Sequence, residues 1–122
     1  MQDSERNTKV KGNQYEDDAA RYLVEAGWKI EERNYTFQKG EIDIIARDGD
    51  TLVFVEVRMK GSDEYGLPEE SFTPHKIKKV KSTAEGYLFE NNIEDIACRF
   101  DVISIIPAEG GKLHINHIRD AF

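Results

Sequence analysis

Three acidic residues lie in the most apolar part of the chain, where a carboxylate is costly unless another group balances its charge. They are Glu41 and Asp43 in one β-type segment and Glu56 in the next, on either side of Asp48-Gly49. Asp-Gly is favoured in two-residue hairpin turns, because both residues tolerate positive φ. Such a turn predicts Glu41 directly across from Glu56 at roughly 5 Å between β-carbons, and Asp43 opposite Phe54 and diagonal to Glu56 at roughly 7 Å.

These three carboxylates would share one face of the hairpin, and a hard divalent cation is the charge that balances them best. Mg²⁺ and Mn²⁺ prefer oxygen ligands, and such ions activate water for hydrolysis near neutral pH. We therefore predict a metal site formed by Asp43, Glu56 and Glu41. The opposite face is predicted to be a core made wholly of apolar residues: Ile42, Ile44, Ala46, Val53, Val55 and Val57. The alternative is that the acidic face is an outer face in contact with solvent, as antiparallel pairs often have.

A fourth carboxylate, Glu16, precedes Ala20 and Leu23 at helical spacing and therefore aligns with the buried stripe of the first predicted helix. It could point into the same site as a ligand or as a group that positions water. It could equally close a capping box with Asn13 at the start of that helix. The sequence leaves both interpretations open.

Four lysines occur close together without an acid among them, although the chain carries a net charge of −7. They are Lys76, Lys78, Lys79 and Lys81, and His75 immediately precedes them. On a helix, Lys76 and Lys79 lie on one side of the buried stripe and Lys78 and Lys81 on the other. We predict that these lysines contact nucleic-acid phosphates; the alternative is a solvated helix surface.

The elements that must position these residues follow from the periodicity of apolar residues and from turn signals. A first helix is predicted to begin at Asn13 and end at Gly27, and Thr73-Pro74 is predicted to open a second one. The buried stripe of this second helix would be Ile77, Val80, Ala84 and Leu88. Strands are predicted at 28–38, 41–46, 51–58, 99–106 and 113–118, with an irregularity at Arg33-Asn34 and the last strand at an edge. The order α-β-β-β-α-β-β predicts an α/β fold whose mixed sheet has a helix on each face or both on one face.

Length and composition favour one small domain. The 122 residues suffice for a single core, which we place at 13–122 after a flexible polar tail at 1–12. No apolar run is long enough to cross a bilayer, the start of the chain has no signal-peptide core, and the single cysteine cannot form an internal disulfide. We therefore expect a cytoplasmic protein that has no membrane partner.

Several other residues that could take part in chemistry are predicted to have structural roles. Arg99 and Asp101 share a strand face and are expected to form an internal ion pair. His114 and His117 lie on opposite faces of a strand and are expected to be structural, and Cys98 is expected in the core. Two aromatic residues near the loop at 61–70 could stack on bases but more often pack in such places: Tyr65 and Phe72.

An acid followed after about a dozen residues by acid-x-basic on an apolar strand resembles the signature of the PD-(D/E)XK nuclease superfamily. Here the pattern is Asp43 followed by Glu56-Val57-Arg58. Over nearly its whole length the chain is similar to the YraN family of bacterial proteins, which resemble archaeal Holliday junction resolvases. The segments that carry this resemblance are 12–19, Arg33-Asn34-Tyr35, 40–43, 53–58, Lys76, 99–103 and 117–122.

The resemblance implies a restriction-endonuclease-like core and hydrolysis of DNA phosphodiester bonds with Mg²⁺ or Mn²⁺. It implies that Asp43 and Glu56 bind the metal and that Glu16 is a carboxylate supplied by a helix. Arg58 stands where the superfamily usually has lysine, and arginine stays charged and cannot act as a general base. Arg58 could still stabilise charge on the phosphate. Lys76 is the better candidate for a lysine supplied by another element, and Lys60 is a poorer one.

Three functions are therefore carried forward from the sequence. The first is a metal-dependent endonuclease acting on branched DNA, which we expect to be a homodimer because junctions are two-fold symmetric. The second is a non-catalytic nucleic-acid-binding module of the same fold, suggested by Arg58 and by the acidic net charge. The third is a scaffold that binds a basic protein partner. DNA binding at low salt separates the third from the other two.

Overall fold

The computed structural model describes residues 3–59 and 73–122, with side chains from residue 14 onward in the first range. Its elements follow the predicted order α-β-β-β-α-β-β. They are α1 (Asp3–Glu25), β1 (Lys29–Phe37), β2 (Gly40–Asp48), β3 (Thr51–Met59), α2 (Pro74–Glu90), β4 (Ala97–Pro107) and β5 (Leu113–Ile118). A short 3₁₀ turn at Glu109–Gly111 joins the last two strands.

The five strands form one mixed sheet in the order β1-β2-β3-β4-β5. Neighbouring strands are antiparallel except β3 and β4, which are parallel. Parallel neighbours need a crossover connection, and α2 lies in the connection between β3 and β4. The last strand is at an edge, as predicted.

Each face of the sheet is covered by a helix, which decides between the two arrangements that the sequence left open. The core on the α1 side includes Leu23, Ile44, Val55 and Ile103. The core on the α2 side is formed by Tyr35, Ile42, Ile45, Leu52, Phe54, Val80, Ala84 and Tyr87. Because Leu52 and Phe54 are at most 2% exposed, the hairpin face that carries the acids is not a solvated outer face.

One of the two helices begins where it was predicted to begin, and the other does not. Helix α1 begins at Asp3 and not at Asn13, so the predicted helix start was wrong and the first described residues of the expected tail are helical. The start of α2 is confirmed: the Thr73 side chain accepts a hydrogen bond from the Lys76 amide at 3.2 Å, and Pro74 follows. Helix α1 thus needs no cap at Asn13, and Glu16 lies well inside it.

The hairpin turn between β2 and β3 lies one residue further along the chain than predicted. Asp48 pairs with Thr51 and Ile45 with Phe54, so the turn residues are 49 and 50 and Asp43 does not lie opposite Phe54. Gly49 has φ 62°, and a glycine with positive φ at the first central position is what type II′ hairpin turns require. The predicted pairing of Glu41 with Glu56 was therefore wrong, although each residue of β3 keeps the face assigned to it.

The alternation of side chains along β2 is interrupted at Asp43. Ile42 packs in the core on the α2 side and Ile44 in the core on the α1 side, whereas residues two apart on a regular strand share a face. The prediction that Ile42 and Ile44 face one core was therefore wrong. Strand β1 is also irregular, with a register shift between Ile30 and Glu32 and a positive φ of 56° at Asn34.

An ionic network joins β4 to the end of the chain and confirms the structural roles given to Arg99, Asp101 and His117. Asp101 is fully buried and accepts from Arg99 Nε at 2.9 Å, while His117 Nε2 lies 2.8 Å from its other oxygen. Burial alone would raise the pKa of Asp101, but hydrogen bonds from His117, Arg99 and the Asp120 amide outweigh it and lower the pKa. This network therefore holds the C-terminal residues against the sheet.

Other predictions have mixed outcomes. Cys98 is exposed and not in the core, because it lies near the start of β4, before the strand enters the covered part of the sheet. Lys60, Tyr65 and Phe72 lie outside the described residues. In the part of the chain that the structure describes, no helix is long and apolar enough to cross a membrane.

Candidate functional site

The candidate site lies where β2 and β3 stop pairing. Their registered pairs run from Asp48–Thr51 to Ile44–Val55, whereas β3 continues beside β4 as far as Met59. Asp43 lies next to Ile44, just beyond the last registered pair. Its Oδ2 accepts a hydrogen bond from the Val57 amide at 2.8 Å. The Val57 amide thus bonds to a side-chain oxygen instead of a backbone carbonyl of β2. The carboxyl end of β3 is therefore not paired with β2 and leaves room for side chains there.

Asp43 and Glu56 form a half-buried pair of carboxyl groups at this opening. Burial raises the pKa of Asp43 to about 6, and Glu16 and Glu41 add to this effect against the Val57 amide and Arg58. Burial raises the pKa of Glu56 to about 7, and the charge of Asp43 adds to it. The two carboxylates therefore resist being charged together near neutral pH.

A divalent cation fits the chemistry of this pair, because its positive charge would stabilise both carboxylates in their ionised form. Within the described ranges, no three His, Cys, Asp or Glu residues are grouped so that they could hold a metal ion. Asp43, Glu56 and Glu41 are therefore not grouped in this way. Their assignment as three metal ligands stays a prediction. Mg²⁺ is commonly bound by only one or two carboxylates together with substrate phosphates and water, which Asp43 and Glu56 suffice to provide.

Glu16 enters the site from α1. Glu16 is only 7% exposed. Its Oε1 accepts hydrogen bonds from Arg33 Nη2 at 3.1 Å and from Asn34 Nδ2 at 2.9 Å. The capping-box interpretation was wrong, because the helix starts earlier. Glu16 instead contributes to the raised pKa of Asp43, so the two carboxyl groups interact electrostatically.

Arg33 and Asn34 are residues of this site that sequence reasoning missed. They hold Glu16, and Arg33 also pairs with Asp17 at 2.6 Å. The irregularity predicted at Arg33-Asn34 was the available signal, and the positive φ of Asn34 confirms it. An irregular strand position occupied by a polar residue can thus mark a residue that positions a functional group.

Two cations face the carboxyl pair, one from the sheet and one from a helix. Arg58 is half-buried near the end of β3 and lowers the pKa of both Asp43 and Glu56. Lys76, in the first turn of α2, opposes the raised pKa of Glu56. Strand β3 and the start of α2 therefore bring positive charge to the carboxyl pair from different directions.

A cavity of about 130 Å³ lies beside Glu56 and Lys76. Glu41, Glu56, Lys76 and Lys79 line it together with parts of the β1–β2 turn and α2. Lys81 belongs elsewhere: its ammonium group lies 5.7 Å from the centre of the Phe100 ring. The structure thus brings Lys76 and Lys79 to the cavity that Glu41 and Glu56 line, and it places Lys81 elsewhere.

The fold and the site together define a mixed α/β domain with a half-buried carboxylate pair at the end of its central strand. Residues 15–105 match the family described as "Uncharacterised protein family UPF0102". The chain belongs to this family, which is the YraN family that the sequence pattern resembles.

Relatives from several organisms match the chain over most of its length. A UPF0102 protein of Persephonella marina is 47% identical over 113 residues, which cover 93% of each chain. One of Syntrophus aciditrophicus is 46% identical over 105 residues, covering 85% of this chain and 81% of the relative. One of Geobacter sulfurreducens is 40% identical over 116 residues, covering 95% and 91%. The range that matches the family, residues 15–105, contains the positions of Glu16, Asp43, Glu56, Arg58 and Lys76.

Proposed function

We propose that this protein is a metal-dependent DNA endonuclease with a restriction-endonuclease-like core, which hydrolyses phosphodiester bonds in branched DNA. One observation carries the proposal. Two half-buried carboxyl groups, Asp43 and Glu56, meet where two strands separate, and a guanidinium and an ammonium group face them. Carboxylates that bind a hard cation and cations that bind a phosphate are the two halves of a phosphodiester-cleaving site.

In this proposal, Asp43 and Glu56 would hold Mg²⁺ or Mn²⁺ where the substrate phosphate binds. A bound ion would polarise the phosphate and activate the attacking water. The Val57 amide fixes the orientation of Asp43 through a 2.8 Å hydrogen bond. Glu16, which Arg33 and Asn34 hold in place, orients the water from the α1 side.

Arg58 and Lys76 act on the phosphate. Arg58 carries a guanidinium group, which stays charged in proteins, so in this proposal it stabilises negative charge that develops on the phosphate oxygens. Lys76 approaches from α2 beside Glu56. In this proposal, Lys76 takes the role of the lysine that the superfamily usually has at the position of Arg58.

A second function is favoured by Arg58 itself. If the reaction requires a lysine on β3, the same fold would bind nucleic acid without cutting it. This alternative, a non-catalytic nucleic-acid-binding module, retains the basic residues and predicts salt-dependent DNA binding with no cleavage under any divalent ion.

Cleavage of labelled DNA tests the proposal. A four-way junction, a flap and a linear duplex are incubated with Mg²⁺, with Mn²⁺, or with a chelator. We expect the wild type to cut the branched substrates only when a divalent ion is present. Glu56→Gln should reduce the rate by at least about 100-fold and keep DNA binding, and Arg58→Lys should retain cleavage. Asp50→Asn, an exposed acid in the hairpin turn, is the matched control and should cut normally.

The outcomes separate the candidate functions. Binding without cleavage in both the wild type and Arg58→Lys would contradict the nuclease and support the binding module. Cleavage that survives in Glu56→Gln would point to a contaminating enzyme or to another site. If no DNA binds even at low salt, neither nucleic-acid function holds.

A further inference from the structure

A second cavity, of about 480 Å³, lies beside the carboxylate site. Its described lining residues are Phe37, Gln38, Lys39, Gly40, His75, Lys78, Lys79, Ser82 and Thr83. Lys39, Gly40, Lys79 and Thr83 also line the smaller cavity that contains Glu56. The two cavities therefore adjoin each other where the β1–β2 turn packs on α2. We refer to the part of the larger cavity lined by Lys39, His75, Lys78 and Lys79 as the basic groove.

The charge of the basic groove is opposite to that of the whole chain. The chain has 24 acidic and 17 basic residues, yet the described residues that line the larger cavity include three lysines, one histidine and no acid. Helical sequence alone accounts for Lys78 and Lys79. Lys39 comes from a different element, so two separate parts of the fold bring positive charge to the same place.

Close packing fixes the β1–β2 turn against α2. A β-carbon on Gly40 would lie 1.8 Å from Thr83 Oγ1, so the backbone of the turn touches the helix where only glycine fits. Gln38 adopts a φ of 55° in this turn, which costs free energy for a residue other than glycine. The packing therefore holds Lys39 beside the exposed lysines of α2 rather than leaving it on a free loop.

We propose that the basic groove binds backbone phosphates of the DNA strand next to the phosphate that is cut, and that Lys39 is one of its phosphate-binding residues. This inference rests on the proposed function, because a strand whose phosphate lies at Asp43 and Glu56 would place its neighbouring phosphates beside the adjoining basic groove. Lys81 is not part of it, since it lies over Phe100 and lines a cavity with Cys98. The basic groove thus keeps Lys78 and Lys79 of the phosphate contacts predicted on α2, leaves out Lys81, and adds Lys39 from the β1–β2 turn.

The test is the salt dependence of DNA binding, measured by fluorescence anisotropy with a labelled four-way junction in a chelator, so that no cleavage occurs. Each phosphate contact contributes about 0.7–0.9 to the slope of log K against log salt concentration. We expect Lys39→Gln to lower the slope by about that amount, and Lys39→Gln/Lys78→Gln to lower it by about twice as much. Lys39→Arg should retain the wild-type slope.

Two lysine variants are matched controls. Lys29 is exposed at the opposite end of β1 from the turn that carries Lys39, and Lys81 is on α2 but outside the groove. We expect Lys29→Gln and Lys81→Gln to keep the wild-type slope. All the substituted lysines are exposed, so each variant should fold, and circular dichroism is the check.

The failure of this inference differs from the failure of the proposed function. If the wild type binds the junction and Lys39→Gln behaves like Lys29→Gln, the groove does not carry the strand, while the nuclease proposal stands. If the wild type does not bind at 50 mM salt, a concentration at which phosphate contacts are still strong, both are overturned. A loss of slope in Lys81→Gln equal to that in Lys39→Gln would also overturn the groove, because it would indicate a diffuse positive surface.

Discussion

Asp43 and Glu56 bind protons more tightly in the folded chain than in the unfolded chain, because burial raises their pKa values to about 6 and about 7. Between about pH 4 and pH 7, the folded state therefore holds more protons than the unfolded state. The free energy of unfolding contributed by these groups falls as pH rises through this range. The protein keeps two acids at a position where their ionisation weakens the fold, which is typical of a functional site.

This reasoning predicts that Glu56→Gln stabilises the protein at high pH. Replacing an acid that resists ionisation by its neutral isostere should raise the free energy of unfolding by about 1–3 kcal/mol at pH 8. The gain should disappear at pH 4, where the wild-type carboxyl group is protonated. Urea denaturation at both pH values measures it, with Glu85→Gln, an exposed glutamate of α2, as the control. A gain of equal size at the two pH values would show that the charge of Glu56 is not its cause.

Single residues of the site were predictable from the sequence to different degrees. Asp43 and Glu56 could be recognised as candidate site residues because they are charged residues within apolar strands. Lys76 could be recognised because it lies near the start of a helix, in a run of lysines. The contacts of Glu16 could not be found in this way. Its partners Arg33 and Asn34 belong to another element, and only the packing of α1 on the sheet brings them within hydrogen-bond distance.

At the scale of elements, the strands and the start of α2 were predictable, but the geometry of the acidic hairpin was not. Asp48-Gly49 correctly indicated a tight turn. The identity of the residues did not show whether glycine would take the first or the second central position, and this choice decides which residues face each other. The break at Asp43 is also invisible in the sequence, because it depends on the Val57 amide bonding to a side chain.

The contact between Gly40 and α2 gives a prediction at this scale. Gly40→Ala places a methyl group where Thr83 Oγ1 now lies, and overpacking of this kind costs about 1–3 kcal/mol. Thr83→Ala removes the obstructing hydroxyl, so Gly40→Ala should cost much less in that background. Chemical denaturation of the two single variants and the double variant yields the coupling free energy. Strictly additive effects would mean that the turn shifts away from the helix instead of packing against it.

At the scale of the whole molecule, the candidate site depends on every layer of the fold. Glu16 comes from the helix on one face, Lys76 from the helix on the other, and Asp43, Glu56 and Arg58 from the sheet between them. The α/β class and the element order followed from the sequence. Helix α2 reaches the carboxyl end of β3 because the parallel pairing of β3 with β4 requires a crossover connection. Strand patterns alone do not show whether two neighbouring strands are parallel.

A site assembled from all layers should couple ion binding to the stability of the whole domain. A ligand that binds only the folded state at ten times its dissociation constant adds about 1.4 kcal/mol to the free energy of unfolding. For a domain of this size, that corresponds to a rise in melting temperature of about 3–8 °C. We expect Mn²⁺ to produce such a rise in the wild type and in Asp50→Asn, and a chelator to reverse it.

The same scan should show little or no rise for Asp43→Asn and Glu56→Gln. Both amides retain the shape of the acids and lack the charge that attracts the ion. Scanning calorimetry with Mn²⁺ and with a chelator, on all four proteins, measures the difference without relying on cleavage. An equal rise in all four proteins would place the ion elsewhere on this acidic chain, and the carboxylate pair would then need another explanation for its burial.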